Sequence, residues 1–195
     1  MALGDSYTIG QSVEESERWP VQLAQELNAS GIQIDSVEII AQTGWRTDQL
    51  FEAIRSKNIT PPYELVSLLI GVNNQFQGQT AEEFRSEFVA LLETAVELTG
   101  NDKDRVFVLS IPDWGVTPFG ALFDPAETSL QIDQFNAVVQ LETQKKDILF
   151  FDITAISRQA LEDSTLIASD GLHPSGKMYR LWVENLLPTL SIINW

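Results

Sequence analysis

Residues 64–70 read Glu-Leu-Val-Ser-Leu-Leu-Ile, and the chain then passes at once into Gly71-Val72-Asn73-Asn74. A mostly continuous apolar run is how a strand reads when both of its faces are covered, which is the condition of strands in a parallel sheet. Glycine and asparagine directly after it mark a turn. Four other segments share this character: Met1–Leu3, Ser36–Ala41, Arg105–Ile111 and Ile148–Ile153. Between them lie helical patterns at Trp19–Asn28, Thr47–Ser56, Thr80–Leu98, Leu130–Thr143, Ile153–Leu161 and Gly176–Leu187. The third of these opens on a Thr80-x-x-Glu83 capping box and closes at Gly100, and the last halts at Pro188. Such alternation predicts an α/β fold with a five-stranded parallel sheet and helices on both faces. With no repeat, low-complexity tract or linker, residues 1–195 read as one domain. Its first strand is short beside the usual ~5–6 residues, so natural N-terminal residues are expected upstream, a leader among the possibilities.

The surface chemistry excludes several classes of partner. The chain carries 28 acidic and 12 basic residues, a formal charge of −16. Such a surface repels phosphate backbones, so nucleic-acid binding is not expected. No stretch reaches the ~20 apolar residues that span a bilayer, so no membrane insertion is expected. The absence of cysteine removes disulfides, thiolate catalysis and Cys-based zinc sites, and one histidine is too few for a His-rich metal centre. Neither a metal nor an organic cofactor is expected. The protein reads as a cytoplasmic monomer, or as a secreted one if a leader was removed. In the secreted case the sequons Asn28-Ala-Ser30 and Asn58-Ile-Thr60 would gain a meaning.

In parallel α/β folds, ligands bind beyond the carboxyl ends of the strands. Four loops fall there: Gly4–Gly10, Gln42–Thr47, Gly71–Gln79 and Ile111–Pro125. The first offers Ser6, directly after a strand and before a helical turn, where a nucleophilic hydroxyl would lie near free backbone N–H groups. Near the other end of the chain, Asp170-Gly-Leu-His173-Pro174 holds the single histidine. Serine attack needs an imidazole to take the proton and a carboxylate to hold the imidazole. A flexible Gly171 between the two lets the loop turn Asp170 toward the ring. Asn73 could donate an amide to a developing oxyanion without titrating, and Gly44 could offer its backbone N–H because no Cβ bars the approach. Each signal alone also fits a capping serine, an incidental loop histidine or an ordinary turn.

Taken in order, Gly-Asp-Ser6, Gly44, Gly-x-Asn73 and Asp170-x-x-His173 resemble the SGNH (GDSL-type) hydrolase family, and the resemblance runs from Gly4 to His173. It implies a flavodoxin-like three-layer α/β/α sandwich. It also implies Ser6 as nucleophile, His173 as base, Asp170 as the partner of His173, and an oxyanion hole from the Ser6 and Gly44 N–H groups and the Asn73 amide. The third block of that family commonly reads Gly-x-Asn-Asp, whereas this chain has Asn74, which leaves the oxyanion donor intact but puts in question any loop-ordering role of the carboxylate. The activity implied is a serine ester hydrolase on small-molecule esters. The expected substrates are small or short-chain acyl esters, carbohydrate acetyl esters among them. Lysophospholipase or thioesterase activity, and a binding module without turnover, are the alternatives. Of the aromatic residues in the candidate loops, Tyr7, Trp45, Phe76 and Trp114, with Phe119, are expected either to wall a substrate pocket or to cap the core. Trp19, Trp182 and Trp195 read as packing residues.

Two other motifs fail. Gly171-Leu-His-Pro-Ser-Gly176-Lys177 nearly matches a phosphate-binding loop, but Met178 replaces the magnesium-binding hydroxyl and Pro174 removes an N–H from the cradle. The Gly-x-Ser-x-Gly signature of α/β-hydrolases is absent.

Overall fold

A computed structural model describes residues 1–193. Its sheet has five strands: β1 (Ala2–Gly4), β2 (Ile39–Ala41), β3 (Val66–Leu69), β4 (Val106–Leu109) and β5 (Leu149–Phe151). All pairings are parallel and the order is β2-β1-β3-β4-β5. Leu3 registers with Ile40 on one side and Leu68 on the other. All residues of β3 and β4 are buried, as their continuous apolar sequence requires.

The helices are α1 (Ser6–Ile9), α2 (Trp19–Ala29), α3 (Thr47–Ser56), α4 (Val72–Phe76), α5 (Ala81–Leu98), α6 (Pro125–Lys145), α7 (Thr154–Ser157) and α8 (Gly176–Leu190). The chain steps from β1 to β2 in one direction and from β2 through β3 and β4 to β5 in the other. Right-handed crossovers then place α2 on one face and α3, α5 and α6 on the opposite face. Packing agrees, with α8 against α2 in one layer and α5 against both α3 and α6 in the other. The result is a three-layer α/β/α fold. Trp19 and Trp182 are almost fully buried, and Trp19 packs edge-on to Phe107 of β4. Trp195 lies outside the described residues.

The elements differ from the sequence reading in several places: β2 begins at Ile39 rather than Ser36, and the helix expected at Ile153–Leu161 is α-helical only over Thr154–Ser157. Pro188 does not stop α8, which continues to Leu190. The proline removes the bond to the Glu184 carbonyl, but both residues are exposed, so water can satisfy that carbonyl while Leu186 and Leu190 anchor the last turn in the core. Helix α6 starts at Pro125 rather than Leu130, because Asp124 caps it by accepting the Glu127 N–H and Pro125 suits the first helical position. Within the loop expected at 71–79 stands α4, too short to show a helical period.

The order 2-1-3-4-5 reverses direction between β1 and β3. A crevice opens beyond the carboxyl ends of strands flanking such a reversal. Ser6 follows β1 and Asn73 follows β3, so both fall at this crevice.

Candidate active site

The passage from β1 into α1 is tight. A Cβ on Gly4 would come within 2.2 Å of the Thr8 hydroxyl oxygen and 2.4 Å of the Leu69 carbonyl oxygen, so only glycine fits there. Asp5 caps the turn, its Oδ1 accepting the Tyr7 N–H at 3.0 Å. Asp5 is 1% exposed, and burial raises its pKa to about 7 against the lowering effect of that bond. Ser6 is the first residue of α1 and is itself buried.

The segment 166–175 folds back on itself. The Ala168 N–H donates to the His173 carbonyl at 2.7 Å, Ser175 N–H to Leu166 O at 2.8 Å, and Ile167 bridges Pro174. Inside this turn one oxygen of Asp170, Oδ1, accepts the N–H groups of Leu172 at 2.9 Å and His173 at 3.0 Å. The other, Oδ2, bonds His173 Nδ1 at 2.7 Å and accepts the Ser12 hydroxyl at 2.6 Å. Partial burial pushes the Asp170 pKa up. The hydrogen bonds from Ser12, His173 and Leu172 outweigh it and hold the carboxyl well below the usual range. Asp170 is therefore an oriented anion against one ring nitrogen. The imidazole packs edge-on to Tyr7, the neighbour of Ser6, with ring centroids 5.7 Å apart. Among the described residues, neither the Ser6 hydroxyl nor His173 Nε2 has a hydrogen-bond partner. Long catalytic contacts before substrate arrives are common, since such bonds tighten in the reacting complex.

Gly44 sits in an exposed turn with φ +85°, a left-handed conformation that favours glycine, and open space lies where a Cβ would be. Asn73 donates its amide to the Trp45 carbonyl at 2.9 Å, which uses one of its two amide hydrogens. Asn74 is fully buried and orders the loop. Its Oδ1 accepts the Thr47 N–H at 3.2 Å, and its Nδ2 donates to the Thr47 hydroxyl and to Gln79 Oε1, each at 2.6 Å.

Of the expected pocket residues, Tyr7 and Trp114 are buried, Trp45 is half-buried and Phe76 is 47% exposed. Phe76, Trp114 and Phe119 form one aromatic cluster with Phe123, a residue the sequence reading did not single out. Trp114 is fixed by its Nε1 donating to Gln75 Oε1 at 2.8 Å. The loop bearing it is braced by Asp113, whose Oδ2 meets Arg158 Nε at 2.8 Å and whose Oδ1 accepts the Gly115 N–H. Phe119 N–H donates to the Gly171 carbonyl at 2.9 Å, which ties the cluster to the Asp170 turn. A cavity of about 10 Å³ between Tyr7, Trp114 and Leu172 has room for one water at most. A larger one of about 370 Å³ lies at the amino ends of the strands, lined by Leu23, Leu27, Tyr63 and Leu65, away from Ser6. Lys177, the lysine of the failed phosphate-loop motif, pairs with Asp163 at 2.6 Å.

Ser6 and Asn73 thus stand at the switch point of a parallel sheet, with the Asp170–His173 pair packed against Tyr7, the neighbour of Ser6. The family comparison agrees: residues 2–181 match the GDSL-like Lipase/Acylhydrolase family, and the chain belongs to it. The protein is accordingly a carboxylic ester hydrolase, of a family in which the SGNH triad and oxyanion hole are typical. Solved structures with the same fold include a lipolytic G-D-S-L family member from Veillonella parvula DSM 2008, with 17% identity, TM-score 0.73, and 98% of this chain and 97% of that one covered. The acetylxylan esterase Axe2 from Geobacillus stearothermophilus is similar at 16% identity and TM-score 0.73, over 100% of this chain and 94% of that one. The psychrotrophic esterase EstA from Pseudoalteromonas sp. follows at 14% identity and TM-score 0.72, over 97% and 94%. No curated protein gives a significant match. Among the described residues no helix is long and apolar enough to cross a membrane.

Proposed function

We propose that the ester hydrolase works through a Ser6–His173–Asp170 triad on small or short-chain acyl esters. The observation that carries this reading is the Asp170–His173 pair at 2.7 Å, its carboxylate locked by three further donors and its imidazole packed beside the Ser6 turn. With Nδ1 bound to Asp170, Nε2 is the nitrogen left to take the Ser6 proton. Ser6 Oγ then attacks the acyl carbonyl. The tetrahedral oxyanion is met by the N–H groups of Ser6 and Gly44 and by the second amide hydrogen of Asn73. His173 returns the proton to the leaving alcohol, and water attacks the acyl-enzyme with the same base.

Carbohydrate acetyl esters are the substrates that the fold's likeness to the acetylxylan esterase Axe2 supports. The aromatic cluster of Phe76, Trp114, Phe119 and Phe123 gives the rest of the ester an apolar surface, with Tyr7 and Trp45 flanking the site. A p-nitrophenyl ester series from acetate to decanoate tests this. We expect kcat/KM to peak at four carbons or fewer and to vanish in Ser6→Ala. A peak at long chains would replace the substrate reading with a lysophospholipase or thioesterase.

A further inference from the structure

The geometry points to Glu87, on α5, as a positioning residue that sets the oxyanion hole by fixing the amide of Asn74. The inference rests on the reading of Gly44 and Asn73 as oxyanion donors.

Trp45 and Arg46 of the β2–α3 loop and Thr47, the first residue of α3, are tied to α4 and the residue after it. Trp45 O accepts from Asn73, Arg46 Nη1 donates to Gln77 Oε1 at 3.1 Å, and Thr47 N–H donates to Asn74 Oδ1. Gly44 immediately precedes this clamp, so its N–H direction is inherited from it. The clamp works with only one orientation of the Asn74 amide, because Oδ1 must face the Thr47 N–H and Nδ2 must face the Thr47 hydroxyl. A flipped amide would set oxygen against oxygen at both Thr47 Oγ1 and Gln79 Oε1, and N–H against N–H at the Thr47 backbone.

Glu87 selects that orientation. Its Oε2 accepts the Thr47 hydroxyl in a short bond, which commits the hydroxyl proton to Glu87 and leaves the threonine oxygen able only to accept from Asn74. Its Oε1 accepts Gln79 Nε2 at 3.2 Å, which turns Gln79 Oε1 toward Asn74 Nδ2 at 2.6 Å. Asn74 and Thr47 are 0% and 1% exposed, so unpaired polar atoms there would be costly. Asn74 Nδ2 also faces Glu87 Oε2 directly at 3.4 Å, a longer contact than those to Thr47 and Gln79, and Glu87 is the one anion of the four-residue network. Asn74 thus holds the loop with an amide because the carboxylate is supplied from α5. Two carboxylates, at 74 and at 87, would repel across this space.

The test is p-nitrophenyl acetate kinetics, normalised to active sites titrated with a fluorophosphonate so that misfolded protein does not count. We expect Glu87→Gln to lower kcat about tenfold with KM changed less than twofold, part of the 10²–10³ that losing an oxyanion donor costs. Asn74→Asp should lower kcat further. The double variant Asn74→Asp/Glu87→Gln again holds one carboxylate and one amide, and kcat should return to within threefold of wild type. Should Glu87→Gln not fold, Thr47→Val against Thr47→Ser makes the same comparison, with only the serine keeping the hydroxyl relay and the activity. Wild-type kcat in Glu87→Gln, or no recovery in the double variant, overturns the inference. Asn73→Ala separates the two levels: if it keeps full kcat, the oxyanion reading itself fails, whereas if it loses kcat while Glu87→Gln does not, only the role of Glu87 fails.

Discussion

Asp5→Asn should change how stability depends on pH. Asp5 is wholly buried beneath the Ser6 turn, and among the described residues its Oδ2 has no hydrogen-bond partner. Burial raises its pKa from 3.8 to about 7. The folded protein therefore holds this proton more tightly than the unfolded chain does. The associated stability is fully present below pH 3.8 and is lost as pH rises through about 7. A shift of about 3 units at 1.36 kcal/mol each amounts to about 4 kcal/mol, of which about 2.5 kcal/mol falls between pH 5 and pH 8. Asparagine keeps an oxygen for the Tyr7 N–H and does not titrate. Urea unfolding of both proteins at several pH values isolates the effect, because the titration of all other groups cancels in the difference. The stability of Asp5→Asn relative to wild type should rise by about 2.5 kcal/mol from pH 5 to pH 8. Parallel curves would refute the claim that Asp5 is desolvated, and a relative fall would reverse its sign.

Other outcomes follow from the same geometry. Asp170→Asn cannot hold an imidazolium and should reduce kcat by about 10³ or more in steady-state assays while the fold, checked by circular dichroism, persists. Ser12→Ala removes one donor to Asp170 and should lower kcat several-fold with little change in KM. Ser12→Gly should be the more stable of the two variants in thermal melts, because Ser12 has φ +66° and glycine adopts that conformation without strain. Phe123→Ala should reduce kcat/KM for butyrate and hexanoate esters more than for acetate, by about fivefold or more, if the exposed aromatic face carries the apolar arm of the ester.

How much of this could be read from residues alone depends on the range of the forces involved. The five strands announced themselves because burial on both faces leaves a continuous apolar run, as in Val66–Leu69 and Val106–Leu109. Their lengths were overestimated where the run outlasts the pairing, as at Ser36–Glu38. Helix α4 carried no period because five residues span little more than one turn. Pro188 misled because a proline on the water side of a well-anchored last turn costs little that sequence can register. The beginning of α6 was readable in Asp124-Pro125, a cap followed by a favoured first residue. At the site, Asp170 and His173 are neighbours in sequence, and their hydrogen bond is local. Ser12 reaches Asp170 across 158 positions, and Glu87 reaches Thr47 across 40. Nothing in an exposed serine or a helix-face glutamate marks such a partner. Phe123 joins Phe76, Trp114 and Phe119 only once the loop after β4 has folded.

Fluorophosphonate labelling followed by peptide mapping, in wild type and in His173→Ala, tests the Ser6–His173 pairing directly. One phosphonyl group per chain is expected, on Ser6, formed in wild type at least about two orders of magnitude faster than in the variant. Folded protein that is labelled elsewhere or not at all would contradict it, as would a variant labelled on Ser6 at the wild-type rate.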